Sequence, residues 1–338
     1  MENLEKAIEK IKRELPGLKL LENEPLSAHC SFRIGGPVRA LAIPSDVTSL
    51  TRICCLLKEQ ELAPFILGNG TNLLFPDEGL QELFIISTEK LTKLFLLPDG
   101  AIYAEAGVSL SKLASFAQQN GLAGLEFASG IPGSLGGGCI MNAGAYGGEL
   151  KDVIESVVCL YLPDQGMYEL TNEQCAFGYR SSYFQTHPGC VVLSAVLRLQ
   201  PDDGEQIAAR MRELNEKRRE KQPLDLPSAG SAFKRPQGHF AAALIEQAGL
   251  KGYSVGGAQV SEKHAGFVVN TGGATSHDVY DLMLHIRKTV YEHSGVFLEP
   301  EMIILAPDYK LEDHGPAVPR HRISILDPNE APEEPDQA

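Results

Sequence analysis

Apolar positions along this chain recur with two periods, and together they predict a mixed α+β protein in which strands outnumber helices. Helical spacing predicts helices at 1–15, 47–59, 110–120, 205–221, 240–248 and 276–294. Short apolar runs predict strands at 38–44, 64–67, 83–86, 94–97, 102–106, 154–162, 167–170, 191–199, 258–260 and 267–270. The last helix has the clearest ends, because Ser276 suits an N-cap and Gly295 suits a C-terminal stop.

The same pattern divides the chain into three parts. Strand-rich sequence continues to about Pro201, and the long helix predicted at 205–221 then leads into a smaller α+β region that ends near Leu305. From 307 to 338 the chain is rich in Pro, Glu and Asp, a composition that predicts a disordered acidic tail. A chain of 338 residues is long enough for two or three domains.

Charge and cysteine content exclude several classes of protein. The formal net charge is -14, whereas a nucleic-acid partner requires a clustered basic surface. The seven cysteines show neither a Cys-x-x-Cys pair nor a zinc-type spacing, so we expect free thiols, a reducing compartment and no metal. The N-terminal segment lacks the apolar region of a signal peptide, and no apolar run reaches membrane-spanning length. These features predict a cytoplasmic protein that does not insert into a membrane.

Two glycine-rich segments are the strongest candidates for a binding site. Segment 124–148 is rich in residues that build neither core nor helix, a choice that is favourable where backbone must come close to a ligand. A second turn, Gly-Asn-Gly-Thr-Asn at 68–72, follows the predicted strand 64–67. This turn lacks the third glycine and the following helix of a Rossmann fingerprint, and the chain contains no P-loop. We therefore predict that turn amides bind the pyrophosphate of a dinucleotide.

One basic run, 217–221, ends the predicted helix 205–221. Positive charge at this place stabilises the C-terminal end of a helix, and it also suits a contact with phosphate. The sequence leaves both interpretations open.

Three short motifs carry polar groups suited to catalysis. Arg180 lies among aromatic and hydroxyl residues, which suits a bidentate contact with carboxylate or phosphate. Ser231 and Lys234 occupy a loop of small residues, and Glu301 precedes an apolar strand. Taken singly, each motif has a plain structural explanation: a surface ion pair, a turn residue and a strand-end charge. Their combination with the glycine-rich segments favours a catalytic site.

Together these motifs resemble the UDP-N-acetylenolpyruvoylglucosamine reductase family over nearly the whole folded chain. The resemblance rests on stretches in the family's order and spacing, at 29–36, 68–74, 130–137, 141–147, 179–182, 230–234, 263–270 and 298–301. It implies an α+β fold with a two-lobed FAD-binding region of the vanillyl-alcohol-oxidase (PCMH) type at 1–204, with lobes of about 1–88 and 89–204. It also implies a smaller α+β substrate-binding domain at 205–306.

The resemblance further implies a reaction in two steps. NADPH reduces non-covalently bound FAD, and reduced FAD passes hydride to the vinyl CH2 carbon of the enolpyruvyl ether of UDP-N-acetylglucosamine. Ser231 is then the proton donor, while Arg180 and Glu301 stabilise the enolate-like species and the substrate carboxylate. Glu299 competes with Glu301 for this role, and Glu301 is favoured because it lies nearest the strand. The product is UDP-N-acetylmuramate, a peptidoglycan precursor.

Ligand contacts are also implied by the resemblance. Those for FAD are Arg33, Gly35, Gly68, Asn69, Gly70, Thr71, Asn72, Leu73, Gly130, Ile131, Pro132, Gly133, Ser134, Gly136, Gly137, Asn142, Ala143, Gly144 and Ala145. Those for the substrate are Tyr179, Lys234, His264 and Asn270. The expected partners are NADPH and UDP-N-acetylenolpyruvoylglucosamine, and the expected state is a monomer or weak dimer.

Some positions depart from the family's commonest pattern. Cys30 stands where threonine is frequent, Arg235 where asparagine is frequent, and Met302-Ile303 where Val-Arg is usual. The stretch 180–191 has no room for the tyrosine-bearing loop of one subgroup, so the chain resembles the second type, which lacks that loop. The sequence does not identify the residues that cover the UDP moiety in place of this loop.

Two alternative functions stay open at this point. The first is a flavin-dependent oxidase of the same fold, in which His29 or Cys139 would bind FAD covalently. The second is a non-catalytic nucleotide-sugar binding protein, which the presence of Arg180, Ser231 and Glu301 disfavours.

Overall fold

An N-terminal lobe, residues 2–88, is built on a four-stranded sheet with two helices. The computed structural model describes residues 2–306 and the strand Arg322–Ile323. The lobe contains α1 (Glu2–Glu14), β1 (Lys19–Pro25), β2 (Pro37–Ile43), α2 (Val47–Lys58), β3 (Phe65–Leu67), β4 (Leu73–Leu74) and β5 (Leu80–Ser87). The sheet order is β1-β2-β5-β3; β1 is antiparallel to β2, and the other two pairs are parallel.

The sheet of the N-terminal lobe is covered on both faces. Along β5, Phe84 and Ile86 pack with residues of α1 and α2, whereas Ile85 joins a core that the lobe shares with the C-terminal part of the chain. Strands covered on both faces have nearly continuous apolar runs, which is why the pattern predicts β2 and β5. It does not predict β1, an edge strand whose residues are mostly polar and at least partly exposed.

A middle lobe, residues 89–221, contains a larger antiparallel sheet. Its helices are α3 (Leu110–Gln119), α4 (Leu135–Met141), α5 (Tyr183–Thr186) and α6 (Gly204–Lys221). Its strands are β6 (Leu94–Leu96), β7 (Ile102–Glu105), β8 (Leu122–Ala123), β9 (Gly144–Ala145), β10 (Gly148–Glu149), β11 (Ile154–Tyr161), β12 (Gly166–Thr171), β13 (Cys190–Leu197) and β14 (Gln200–Pro201). The main sheet has the order β12-β11-β13-β7-β6, and Arg322–Ile323 pairs with β12 at its edge.

The glycine-rich segment 124–148 includes helix α4, so the prediction that the segment builds neither helix nor core is wrong. Cys139 in this helix is fully buried. The glycines allow the helix to pack closely, because a Cβ on Gly138 would lie 2.8 Å from Cδ1 of Leu150. Part of this segment therefore serves packing within the middle lobe.

Helix α6 packs on the middle lobe, although the sequence pattern assigns it to the region 205–306. Nε of Arg210 donates a hydrogen bond to Glu126 at 2.9 Å, and Arg218 donates to the carbonyl of Gly130. The C-terminal end of the helix therefore lies beside the glycine-rich segment.

A C-terminal domain, residues 222–306, completes the described chain. It contains β15 (Ser228–Ser231), α7 (Ala241–Gln247), β16 (Ser254–Val255), β17 (Ala258–Val260), β18 (Phe267–Asn270), α8 (Ser276–Ser294) and β19 (Ile303–Ile304). The sheet order is β15-β18-β17-β16, and β19 pairs in parallel with β4 of the N-terminal lobe. Helix α8 ends at Gly295 as predicted, but its N-cap is Thr275 and Ser276 is its first residue.

The predicted acidic tail, 307–338, lies outside the described residues except for Arg322–Ile323, which form β20. Within residues 2–306, no helix is long and apolar enough to span a bilayer. The mixture of helices and antiparallel and parallel strands confirms the α+β class.

Candidate active site

A cavity of about 1020 Å³ lies where the two lobes and the C-terminal domain meet. The three predicted catalytic residues, Arg180, Ser231 and Glu301, all line it, although they come from separate segments of the chain. Pockets for small molecules usually measure about 300–1,000 Å³, so this cavity has room for a dinucleotide.

The turn at 68–72 brings backbone to the wall of this cavity. Gly70 has a φ of 59°, and a Cβ at this residue would lie 2.2 Å from the carbonyl oxygen of His29. Only glycine fits here, because the backbone of the stretch 29–33 approaches the turn directly. In the same contact, the N–H of Ser31 donates to the carbonyl of Gly70 at 3.1 Å.

The turn also contacts the second glycine-rich segment. The hydroxyl of Thr71 donates to the carbonyl of Pro132 at 3.1 Å, and a Cβ on Gly68 would lie 2.5 Å from the hydroxyl oxygen of Ser134. The two segments that the sequence predicts as one dinucleotide site are therefore adjacent in space. Successive backbone amides in such turns bind phosphate groups.

The predicted FAD contacts divide into two groups. Those that line the cavity are Arg33, Gly68, Asn69, Thr71, Ile131, Pro132, Gly144 and Ala145. Those that lie outside its lining are Gly35, Gly70, Asn72, Leu73, Gly130, Gly133, Ser134, Gly136, Gly137, Asn142 and Ala143. Asn142 illustrates the second group: it is fully buried, and its side-chain amide donates to Glu149 and to the carbonyl of Gly178.

Arg180 and Glu301 form an ion pair in the cavity wall. Nε of Arg180 donates to Oε1 of Glu301 at 2.5 Å, and Nη2 donates to the carbonyl of Gly144 at 3.1 Å. Arg180 has a φ of 51°, an uncommon backbone conformation for a side chain of this size. Burial raises the pKa of Glu301, and the positive charges of Arg180 and Lys234 oppose that rise.

The backbone of Glu301 is fixed from two sides. Its N–H donates to the carbonyl of Ala232 at 3.0 Å, and the side chain of Asn72 donates to its carbonyl at 3.1 Å. Glu299 is placed differently, since its side chain is 68% exposed and lies 3.6 Å from Nζ of Lys234. The geometry therefore puts Glu301, and not Glu299, in the main cavity.

Ser231 ends strand β15, where the sequence pattern predicts a loop. The pairing of β15 with β18 shifts register between Ser228 and Ser231, and Gly230 lies in this irregularity with a φ of 77°. A bulge interrupts the alternation of side chains along a strand and redirects them. This explains how the neighbours Gly230 and Ser231 both line the cavity.

His264 lines the same cavity from the loop before β18. Its Nδ1 accepts a hydrogen bond from the N–H of Gly266 at 3.1 Å, which assigns the proton of the neutral ring to Nε2. Burial lowers the pKa of His264. The ring is therefore a neutral hydrogen-bond donor.

A second cavity, of about 530 Å³, is lined by chain neighbours of the predicted catalytic residues. Tyr179 and Lys234, two of the predicted substrate contacts, belong to it. The hydroxyl of Tyr179 accepts a hydrogen bond from the N–H of Arg235 at 3.0 Å. The guanidinium of Arg235 lies 4.0 Å from the centre of the Phe240 ring. Phe240 lies outside the lining, but Phe297 belongs to it, so positive charge and aromatic surface lie together in this cavity.

Asn270, the remaining predicted substrate contact, lines neither cavity. Its amide nitrogen donates to the carbonyl of Phe32 at 3.2 Å, and its oxygen accepts from the N–H of Gly272 at 2.9 Å. The residue is buried and connects the C-terminal domain to the N-terminal lobe.

Arg218 and Lys221, in the basic run whose role the sequence leaves open, both line the main cavity. Arg218 is 7% exposed, and its Nε has no hydrogen-bond partner within the described residues. Burial lowers the pKa of Arg218, but a guanidinium stays charged. A mostly buried guanidinium in the wall of a cavity fits an anionic ligand. The structure thus favours the phosphate-contact interpretation of this run.

Tyr146 and His29 also line the cavity, and the sequence does not predict either as a non-covalent ligand contact. The ring of Tyr146 lies 5.7 Å from the guanidinium carbon of Arg218. Of the two residues considered for covalent attachment of flavin, His29 faces the cavity with Nε2 at 2.8 Å from Glu24, whereas Cys139 is fully buried in α4.

Two family models match the chain. One, described as UDP-N-acetylenolpyruvoylglucosamine reductase, C-terminal domain, matches residues 222–305. The other, described as FAD binding domain, matches residues 38–168. The second match covers most of the two lobes and confirms FAD as the predicted cofactor.

Curated relatives and a solved structure agree with these matches. The chain is 48% identical over 300 residues to a UDP-N-acetylenolpyruvoylglucosamine reductase of Caldanaerobacter subterraneus subsp. tengcongensis, covering 88% of this chain and 97% of the relative. It is 46% identical over 292 residues to the protein of the same name from Limosilactobacillus reuteri, covering 86% and 97%. The crystal structure of UDP-N-acetylenolpyruvylglucosamine reductase from Thermus caldophilus matches with a TM-score of 0.72 at 34% identity, covering 86% of this chain and 99% of that chain.

Proposed function

The chain belongs to the UDP-N-acetylenolpyruvoylglucosamine reductase family, and we propose that Arg180, Ser231 and Glu301 are its catalytic residues. The reaction is the NADPH-dependent reduction of the enolpyruvyl ether of UDP-N-acetylglucosamine to UDP-N-acetylmuramate, in peptidoglycan precursor synthesis. One observation carries the assignment of roles: these three residues, from three segments of the chain, line a single cavity.

FAD is the cofactor, consistent with the matched FAD-binding domain. When bound, FAD accepts hydride from NADPH and supplies hydride to the methylene carbon of the substrate. We assign its binding to the backbone of the turn 68–72, the adjacent stretch 130–134, and Arg33. Gly68, Asn69 and Thr71 of this turn line the cavity together with Arg218, which supports the assignment because they provide backbone amides and positive charge for phosphate groups.

Arg180 and Glu301 act on the charge that develops at the carbon bearing the ether and carboxylate groups. Arg180 uses Nε and one Nη2 hydrogen for Glu301 and Gly144, so its other N–H donors remain available for the substrate carboxylate. Because Glu301 and the carbonyl of Gly144 fix the guanidinium, it needs no reorganisation when negative charge appears.

Ser231 gives its hydroxyl proton to that same carbon, which completes the addition of hydride and proton across the double bond. A serine hydroxyl is a weak acid, so proton transfer requires positive charge nearby. Lys234 follows in the same segment, and its ammonium lies near enough to Glu301 to lower that residue's pKa. The bulge in β15 keeps the serine on the cavity side of the strand.

The nucleotide part of the substrate is assigned to the second cavity and to His264. Lys234 and Arg235 offer positive charge to a diphosphate, and Tyr179 and Phe297 offer flat apolar surface to a ring. The neutral Nε2–H of His264 is a donor for an uncharged acceptor. This arrangement covers the UDP moiety without a tyrosine-bearing loop.

We place the enzyme in the cytoplasm, because all seven cysteines are free thiols and a reducing compartment maintains that state. The reducing co-substrate NADPH is consistent with this placement.

Anaerobic absorbance spectroscopy of the purified protein tests the proposal. NADPH should bleach the flavin bands, and UDP-N-acetylenolpyruvoylglucosamine should restore them. If the bands return only when oxygen is admitted, the protein is an oxidase. If no flavin is bound, the cavity has been assigned wrongly.

The same experiment tests the role of Ser231 independently of the reductase function. Ser231→Ala should bleach normally but recover roughly 100- to 1,000-fold more slowly, a usual effect for loss of a general acid. Ser254→Ala, in strand β16 of the same sheet and outside both cavities, is the control and should recover like the wild type. Normal recovery in Ser231→Ala would move the proton donation to another residue and leave the reductase function intact.

A further inference from the structure

Helix α8 presents an apolar stripe on the face that points away from the core. Its inner face, which includes Leu282 and Ile286, is fully buried, as expected for an amphipathic helix. On the outer face, Tyr280, Leu284 and Tyr291 are 48%, 42% and 56% exposed. About half of the surface of each residue therefore stays uncovered within residues 2–306. Clustered exposed apolar groups are typical of protein interfaces.

The stripe extends beyond the helix on one side. Tyr253, which is 42% exposed, stacks on His285 of α8 with ring centres 4.3 Å apart. This pair widens the apolar surface next to Leu284. Large aromatic residues at the centre of a surface are a common feature of interfaces.

Charged residues flank the stripe in a self-complementary order. Asp281 and Lys288 are both exposed and lie two helical turns apart, and the point midway between them falls beside Leu284. His277 and Glu292 are also exposed, and they have the same midpoint. A 180° rotation about an axis that passes through this point, perpendicular to the helix, therefore exchanges the acidic and basic positions in both pairs.

We propose that this face of α8 is a symmetric interface with a second copy of the chain. The two helices run antiparallel, and Leu284 lies at the twofold axis. Asp281 then faces Lys288 of the second copy, and His277 faces Glu292. A parallel pair would place like charges opposite each other, which is unfavourable.

The charges at this face have weak partners in their own chain. Nζ of Lys288 is 4.0 Å from Oε1 of Glu292, and Asp281 has no ion pair within the described part of the chain. His277 lies 3.3 Å from Asp77 and 4.0 Å from Glu78. Asp281 and Lys288 are thus the pair with most to gain from association.

The interface is small and lies away from the chemistry. One pair of helices buries less than the roughly 1,200 Å² of a standard interface, so the dimer should dissociate on dilution. Residues of α8 line neither cavity, so dissociation should leave turnover unchanged.

Sedimentation velocity of the full chain over a wide range of concentrations tests the proposal. The wild type should show a monomer–dimer equilibrium, and Leu284→Glu should abolish it by placing two like charges at the axis. Leu96→Glu is the control, because Leu96 is equally exposed, at 41%, but lies on the edge strand β6. Flavin content and turnover should be the same in all three proteins.

A charge exchange provides the decisive comparison. Asp281→Lys and Lys288→Glu should each weaken the dimer roughly tenfold, because each change affects two symmetry-related pairs of exposed charges. The double variant should recover most of the wild-type affinity. A wild-type chain that is monomeric at every concentration, or a double variant that is as weak as the single ones, would overturn this interface.

Discussion

Nε of Arg180 lies 2.5 Å from Oε1 of Glu301, a residue 121 positions later in the chain. Arg180 belongs to the middle lobe and Glu301 to the C-terminal domain, so the ion pair closes the active-site cavity between them. Both side chains are mostly buried, with 23% and 13% exposed. Charges this far from water interact strongly, and each becomes costly when its partner is removed.

The first prediction concerns this pair. Arg180→Lys and Glu301→Gln should each slow flavin reoxidation by the substrate roughly 100- to 1,000-fold, the usual effect of removing one group that stabilises developing charge. Reduction of flavin by NADPH should change far less. Stopped-flow absorbance measures the two steps separately.

The double variant distinguishes a functional pair from two independent groups. If the two residues act as one unit, the combined loss should be much smaller than the product of the single losses. Fully multiplicative losses would show that Arg180 and Glu301 contribute independently.

The second prediction concerns pH. Burial raises the pKa of Glu301, while the positive charges of Arg180 and Lys234 lower it. If the ionised carboxylate is required, the rate of reoxidation should fall on acidification. Lys234→Met removes a charge that favours ionisation, so the acid limb of the profile should move to higher pH.

Lys10→Met is the control for this shift. Lys10 has an exposure close to that of Lys234, 29% against 35%, but lies on α1 and pairs with Glu59. Its loss should leave the acid limb in place. An unmoved limb in Lys234→Met would mean that another group sets the acid limb.

Much of the site is predictable from local sequence. Composition alone identifies three of its segments: the glycine-rich turn at 68–72, the small-residue segment that contains Ser231, and the segment in which Glu301 precedes an apolar strand. Periodicity does not predict that these segments line one cavity. The parallel pair of β4 and β19 joins segments far apart in the chain, and strands of two residues are too short to show a period. The resemblance to a family, and not the pattern, brings these segments together in advance.

One misassignment has a physical cause. Helix α4 is hidden by its glycines, although its Ser134 N-cap, which accepts from the N–H of Gly137 at 3.4 Å, follows a known start signal. The ligand contacts of Asn142 and Asn270 stay predictions, and the structure adds that both side-chain amides donate to backbone carbonyls of the chain. A polar residue in a conserved-looking motif can equally well serve the chain's own backbone, and only the hydrogen-bond partners distinguish these roles.

The third prediction concerns stability. The carboxylate of Asp77, in the N-terminal lobe, accepts from the N–H of Ser276 at 2.8 Å and lies 3.3 Å from Nδ1 of His277. Asp77 and then Glu78 raise the pKa of His277 above 6.5. A raised folded-state pKa stabilises the fold fully below the unfolded pKa, and this contribution disappears as pH rises through the folded pKa.

Thermal unfolding midpoints, measured at pH values from below to above the folded-state pKa of His277, check the prediction. The wild type should lose some stability as pH rises through the pKa of His277, and His277→Asn should lack this component. His293→Asn, an exposed histidine at the other end of α8, should keep the wild-type dependence. An identical pH dependence in the wild type and His277→Asn would contradict the assignment.

The fourth prediction compares two glycines that share a left-handed backbone but differ in their surroundings. Gly70 has a φ of 59° and Gly100 a φ of 85°. A Cβ on Gly100 meets nothing within 4 Å, whereas a Cβ on Gly70 would lie 2.2 Å from the carbonyl oxygen of His29.

Gly100→Ala should therefore lower the free energy of unfolding by only about 1–2 kcal/mol, the cost of a left-handed backbone at alanine. Gly70→Ala should lose more stability and should also retain less FAD, because the turn must move away from the stretch 29–33. Denaturant unfolding and the ratio of flavin to protein absorbance measure the two effects. Equal flavin retention in the two variants would show that this turn does not contribute to the cofactor site.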